Sequence, residues 1–181
     1  MNARINFDTE LKLLKDDLYE MAGLIEAAID NIMTAFKNQD VNLARDIIMG
    51  DRIINDIEKA IEARCLYLIV RQQPVAGDLR MVTTALKVVT DMERIGDHAA
   101  DIAELIIREK REHIYDLVKH IPEIGMAAKS MVHDAVEAFT CLDLNKARDI
   151  IKRDDYVDEL FDKVKLEVAG ILKTSSDQVD Q

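Results

Sequence analysis

The sequence predicts an all-α protein of tandem antiparallel three-helix bundles, the second incomplete, with five long helices in total. Three observations carry this. The 181-residue chain has only two Pro and six Gly, too little punctuation for many short elements. It is 49% apolar and 33% charged, the mixture expected of long amphipathic helices in a globular protein. Finally, Ala35 to Asp51, AFKNQDVNLARDIIMGD, recurs at Ala138 to Asp154 as AFTCLDLNKARDIIKRD, with 10 of 17 positions identical at a shift of 103 residues. A match of that kind marks a duplicated structural unit.

An apolar period near 3.6 residues gives a first helix from about Phe7 to Asn38, a second from Val41 to about Arg71 and a third from about Gly77 to Lys110. Asp40 is placed as an N-cap whose carboxylate accepts free amides of the next turn, and Asp143 repeats that role. Pro74 and Gly77 break the connection RQQPVAGDL. The fourth helix should start near Pro122, where a missing amide costs nothing, and the fifth should run from Leu144 to about Lys173. Short loops make neighbours antiparallel. Residues 1–110 thus form the first bundle, and 111–181 a second repeat truncated before its third helix. By the shift of 103, that helix would begin near Asp177, yet the sequence closes on TSSDQVDQ. The fourth and fifth helices are expected to keep an apolar groove meant for a sixth.

A formal charge of −11 argues against nucleic acid, which needs a basic stripe, and favours cations or a basic partner. The N-terminal MNARINFDTE lacks a signal-peptide core, and no apolar run approaches a spanning helix. A cytoplasmic protein is expected. Cys65 and Cys141 are isolated and have no zinc-ligand spacing. They read as small apolar core residues, and the Met residues as core fillers.

The chemistry lies in the acids. In DMERIGDHAADIAE, Glu93, Asp97 and Asp101 stand one helical turn apart. At about 100° per residue, Val82, Leu86, Val89, Gly96, Ala100, Ala103 and Ile107 fall within about 80° of Glu93. Glu93 is therefore expected at the centre of one apolar face. A second such face on the opposite side, holding Met92 and Ile95, would leave the third helix sandwiched. Lys87, Arg94, His98 and Asp101 fall on its polar edge, and Asp97 at the margin beside Glu93. An ionised carboxylate buried there costs several kcal/mol without a cation, donor or proton. On the second helix, Asp51, Asn55, Glu58 and Glu62 share one arc. Oxygen donors on two facing helices suit a hard cation. The candidate ligands are Glu93 and Asp97, Asp51 and Asn55, and Asp154 with Asp158, the repeat equivalents of Asp51 and Asn55. Glu58, Glu62, Asp101 and His98 are further or supporting candidates, and the residues leave the metal's identity open. Phe161 and Lys165 replace Glu58 and Glu62 in the second unit, and His113, His120 and His133 are scattered. Gly96 is expected to let helices approach closely.

The run from Arg71 to Glu104 closely resembles the signature of the PhoU family of phosphate-signalling proteins. It carries Pro74, Asp78, Leu79 and Arg80 at its entry, then Glu-Arg-Ile-Gly-Asp-His at Glu93 to His98. The resemblance covers almost the whole chain. It implies two bundles of six helices, a Glu/Asp-x-x-x-Asp motif that holds iron or zinc in some members, and no enzymatic activity. It further implies negative regulation of phosphate uptake and of the phosphate-starvation response, through a phosphate ABC transporter with its ATPase and through a sensor histidine kinase. Members sit at the inner face of the membrane through these partners, often as homodimers. The sixth helix would supply the second site's matching acids, and Asn55 departs from the family's acid. Two other readings remain: a carboxylate-bundle metal-binding or storage protein, and a metal-free helical adaptor.

Overall fold

The computed structural model describes residues 2–108 and 114–174. Within them the chain is helical, with no strand. Helix α1 spans Asn2–Asn38, α2 Val41–Gln72, α3 Ala76–Arg108, α4 Ile114–Leu117, α5 Ile121–Cys141 and α6 Leu144–Thr174. The five long helices match the predicted ones closely, α1 beginning five residues earlier than Phe7. The single turn α4 was not predicted, being too short to show a period. Lys110, His113 and the region near Asp177 lie outside the described residues.

The caps form as the sequence requires. Asp40 Oδ1 accepts from the amides of Asn42 and Leu43 at 3.0 Å each, and Asp143 Oδ1 from those of Asn145 at 2.9 Å and Lys146 at 3.0 Å. The residue before each cap, Gln39 and Leu142, is left-handed at φ 52° and 57°. The same one-residue reversal therefore serves both halves of the repeat.

Leu14, Leu18, Met21 and Ile25 of α1 meet Ile61, Cys65 and Leu68 of α2 and Val82, Ala85 and Val89 of α3. Burying a side chain of this size contributes about 1.5–3 kcal/mol. Arg64 ties α2 to α1, donating from Nε to Asp17 at 2.7 Å and from a terminal nitrogen to Glu10 at 2.9 Å.

The first core does not stop at three helices. Val132 and Val136 of α5 join it from the other side of α1. Lys15 Nζ donates to the Thr140 carbonyl at 2.6 Å, Tyr19 and Thr140 share a hydroxyl contact at 2.7 Å, and His133 meets Glu26 at 3.0 Å. Helix α1 is thus a shared wall. Helix α6 leans on α5, where Asp134 pairs with Lys146 at 2.9 Å and with Arg153. A groove of about 370 Å³ between α5 and α6 is lined by Ala138, Phe139, Leu144, Ile150 and Ile151.

Candidate metal centre

Helices α2 and α3 meet along Gly96, where an added Cβ would stand 3.0 Å from Ile54 Cδ1 and 3.5 Å from Asp51 Oδ1. The missing side chain brings the two backbones close, as the sequence predicted for this glycine. The buried stripe of α3 is Val82, Ala85, Val89, Met92, Gly96, Ala99, Ala103 and Ile106. Its spacing alternates three and four residues, so it runs about 80° away from Glu93 on a helical wheel. This corrects the expected geometry: Glu93 is half-buried on the flank of the stripe, Asp97 is exposed, and Met92, assigned to the opposite face, is buried. The helix has one packed face rather than two, since a single stripe serves both α1 and α2.

Asp51 Oδ2 accepts from Asn55 Nδ2 at 2.8 Å, and Asp51 Oδ1 is buried without a partner. Asp51 lines a cavity of about 170 Å³ together with Asn31 of α1, Asp46 and Ile54 of α2, and Gly96 and Ala99 of α3. Burial pushes the Asp51 carboxyl above its ordinary 3.8, and the charges of Asp97 and, more weakly, Asp101 add to this against the Asn55 hydrogen bond. Glu93 rises above 4.5 through burial first, then through Asp97, Glu58 and Asp51. Glu58 rises for the same reason, burial, followed by the charge of Glu62. The acids of α2 and α3 thus share one field and repel one another. Desolvation pushes the Cys65 thiol up to about 11, which suits the inert core role read from the sequence, whereas Cys141 at the end of α5 is exposed, against the same reading.

The other candidates lie apart. His98 and Asp101 face each other at 3.8 Å, both largely exposed. Asp154 and Asp158 are exposed on α6, and the acids at Glu58 and Glu62 have given way there to Phe161 with the Lys165 ammonium 5.0 Å from its ring. Asn31 and Asp46 were missed. Asp46 had a signal, since it belongs to the repeated ARDII stretch, whereas Asn31 had none. Among the described residues no three acid, His or Cys side chains converge into a ready-made metal site.

The PhoU domain matches residues 18–106 and again 121–181. The chain belongs to the PhoU family. A phosphate-specific transport system accessory protein PhoU homolog of Clostridium acetobutylicum is 42% identical over 176 residues, 97% of this chain and 80% of that protein. The PhoU accessory protein of Escherichia coli is 32% identical over 158 residues, 87% of this chain and 66% of its own length, so the chain spans about two thirds of that relative. The crystal structure of PhoU from Pseudomonas aeruginosa superposes with a TM-score of 0.88 at 30% identity, covering 96% of this chain and 84% of that one. The phosphate transport system regulatory protein PhoU from Streptococcus pneumoniae gives 0.83 at 28% identity, over 93% and 80%. The all-α PhoU fold is thereby the fold of this chain.

Proposed function

We propose that the chain is a non-enzymatic negative regulator of phosphate uptake and of the phosphate-starvation response, acting on a phosphate ABC transporter through its ATPase and on a sensor histidine kinase. It would work at the inner face of the membrane through those partners, as a homodimer. Support comes from the names of its relatives, accessory proteins of phosphate-specific transport. No described helix is long and apolar enough to cross a membrane, so attachment through partners needs no span.

The observation that carries the metal part of this reading is the orphaned, buried Asp51 Oδ1 within a field of mutually repelling acids. Such a donor set fits a divalent or trivalent cation, iron or zinc by the family's habit. Asp51, Asn55, Glu93 and Asp97 would hold it, with Glu58 and Glu62 beside them, and its positive charge would offset their repulsion. Within this chain Asn55 orients the Asp51 carboxylate, which faces Gly96 of α3. Asp154 and Asp158 would form a second site only with acids from a further helix.

Metal analysis of protein purified without chelator tests this against the Glu93→Ala/Asp97→Ala variant. The wild type should retain metal and the variant lose most of it; equal content sinks the site. A storage protein would instead load many ions per chain. For regulation, deletion of the gene should abolish phosphate repression of uptake, and a full-length copy should restore it.

A further inference from the structure

Acids are spread through this chain at 35 in 181 residues, yet residues 63–90 contain one, Asp78, against Arg64, Arg71, Arg80 and Lys87. That stretch is the far end of the α2–α3 hairpin, and its net charge is +3 in a chain of −11, which leaves −14 on the remainder. Arg64 is occupied by Glu10 and Asp17. No described acid pairs with Arg71, Arg80 or Lys87. The start of α1, which lies alongside, is neutral over residues 2–12, with Arg4 and Lys12 against Asp8 and Glu10.

The same end is apolar at its surface. Val75 in the turn is 74% exposed, Val70 on the last turn of α2 70%, and Leu66, Tyr67 and Leu79 lie exposed behind them. The turn is held sharp by two left-handed residues, Gln73 at φ 46° and Ala76 at φ 49°, on either side of Pro74 and Val75. It projects beyond the α5–α6 turn: Thr140 reaches only the level of Lys15 and Tyr19 on α1, and Asp17 between them meets Arg64, eight residues short of the end of α2. At 1.5 Å per residue the tip stands about 12 Å proud.

We propose that this tip docks the protein on an anionic lipid surface, Val70, Val75 and Leu79 entering the headgroup boundary with Arg71 and Arg80 beside them. Val75 stands foremost in the turn, and Val70 with Arg71 on α2 and Leu79 with Arg80 on α3 alternate aliphatic and cationic side chains around it, an arrangement in which the apolar groups can enter the headgroup boundary while the long cationic side chains snorkel to the phosphates. The scarcity of acids matters as much as the cations. Apart from Asp78, the next acids along this hairpin are Glu62 on α2 and Asp91 on α3, at least about 15 Å from the turn by helix rise. That exceeds the screening length of about 8 Å at physiological salt.

Co-sedimentation with vesicles of phosphatidylglycerol and phosphatidylethanolamine, and with phosphatidylcholine alone, tests this on the full chain. The wild type should bind the anionic vesicles and release as salt is raised. Arg71→Gln and Arg80→Gln should each weaken binding about fivefold, and Val70→Ser/Val75→Ser should abolish it, with helicity by circular dichroism unchanged because every altered side chain is exposed. Arg94→Gln, on the exposed middle of α3, should bind as wild type does. Absence of binding to anionic vesicles, or binding that the tip variants leave unaltered, overturns the proposal. So does a tip that is needed only on membranes containing the phosphate transporter, which would assign the knob to an acidic protein surface.

Discussion

Helices α2 and α6 are the same helix in the repeat, yet they end up in different surroundings. Ala44, Ile47, Ile54, Ile61, Cys65 and Leu68 are all buried on α2. Their equivalents at a shift of 103, Ala147, Ile150, Val157, Val164, Val168 and Ile171, keep the apolar stripe, but of them only Val164 is buried. The stripe is a property of the sequence, whereas burial is a property of the neighbour. Helix α2 has α1 on one side and α3 on the other; α6 leans on α5 and keeps Leu144, Ile151 and Phe161 in the open. The acids follow the same division. Between α2 and α3 they crowd together with only Lys59 beside Glu58 offsetting the burial and the Glu62 charge that raise it, while on α5 Asp134 sits between Lys146 and Arg153, and the Lys146 hydrogen bond above all holds its carboxyl below the ordinary value.

The sharpest way to break this comparison is to truncate equivalent residues. Ile61→Ala should cost about 3 kcal/mol, since a fully buried side chain leaves a cavity among three helices. Val164→Ala should cost about 1 kcal/mol, because solvent lies near and the site can collapse. Urea denaturation of both variants would measure the contrast, and equal losses would mean that α6 is covered in solution.

A smaller effect separates two glycines. Gly96→Ala forces a methyl against Ile54 in the buried α2–α3 contact and should cost about 1–2 kcal/mol. Gly125→Ala meets Met33 Sδ at 2.7 Å, but that side chain is flexible and borders an open apolar cavity. Gain of helix propensity should leave the variant within about 0.5 kcal/mol of wild type. Thermal melts would rank the two.

The smallest expected signal is in pH. Asp51, Glu58 and Glu93 have folded values raised above their unfolded 3.8 and 4.5, so folding takes up protons there and stability is lost as pH rises through the folded values. Lowering the pH of metal-free protein from 7 to about 5 should raise the Tm by a degree or two, and Glu93→Gln should flatten that rise. Asp134 has the opposite sign. Its stabilisation is present above pH 3.8 and is lost as pH falls through its lowered folded value, so Asp134→Asn should lower the Tm at pH 7, and that deficit should shrink as the pH is taken down through that value.

Much of the architecture was legible because helix periods, Asp caps and the repeat are local signals. Asp40 and Asp143 cap as read, and Gly96 seats α2 on α3. The orientation of α3 was not legible. A wheel at 100° per residue can draw an apolar arc through Glu93, but only the positions of α1 and α2 decide which arc is packed, and they chose one through Met92 and Gly96. Nor did the sequence reveal that α5 would bury Val132 and Val136 against α1, since those residues fit an internal bundle stripe equally well. Asp51 was found through the repeat, and the cavity beside it only through the fold.

Helix α1 also sets an order of events during synthesis. Its contacts with α2 and α3 come from chain made by residue 108, but Lys15 and Tyr19 wait for Thr140, more than 120 residues downstream. At roughly 5–20 residues per second, the first unit emerges with one side of its founding helix bare for about two to seven seconds until α5 arrives. A chaperone that catches nascent chains has its opening on that side.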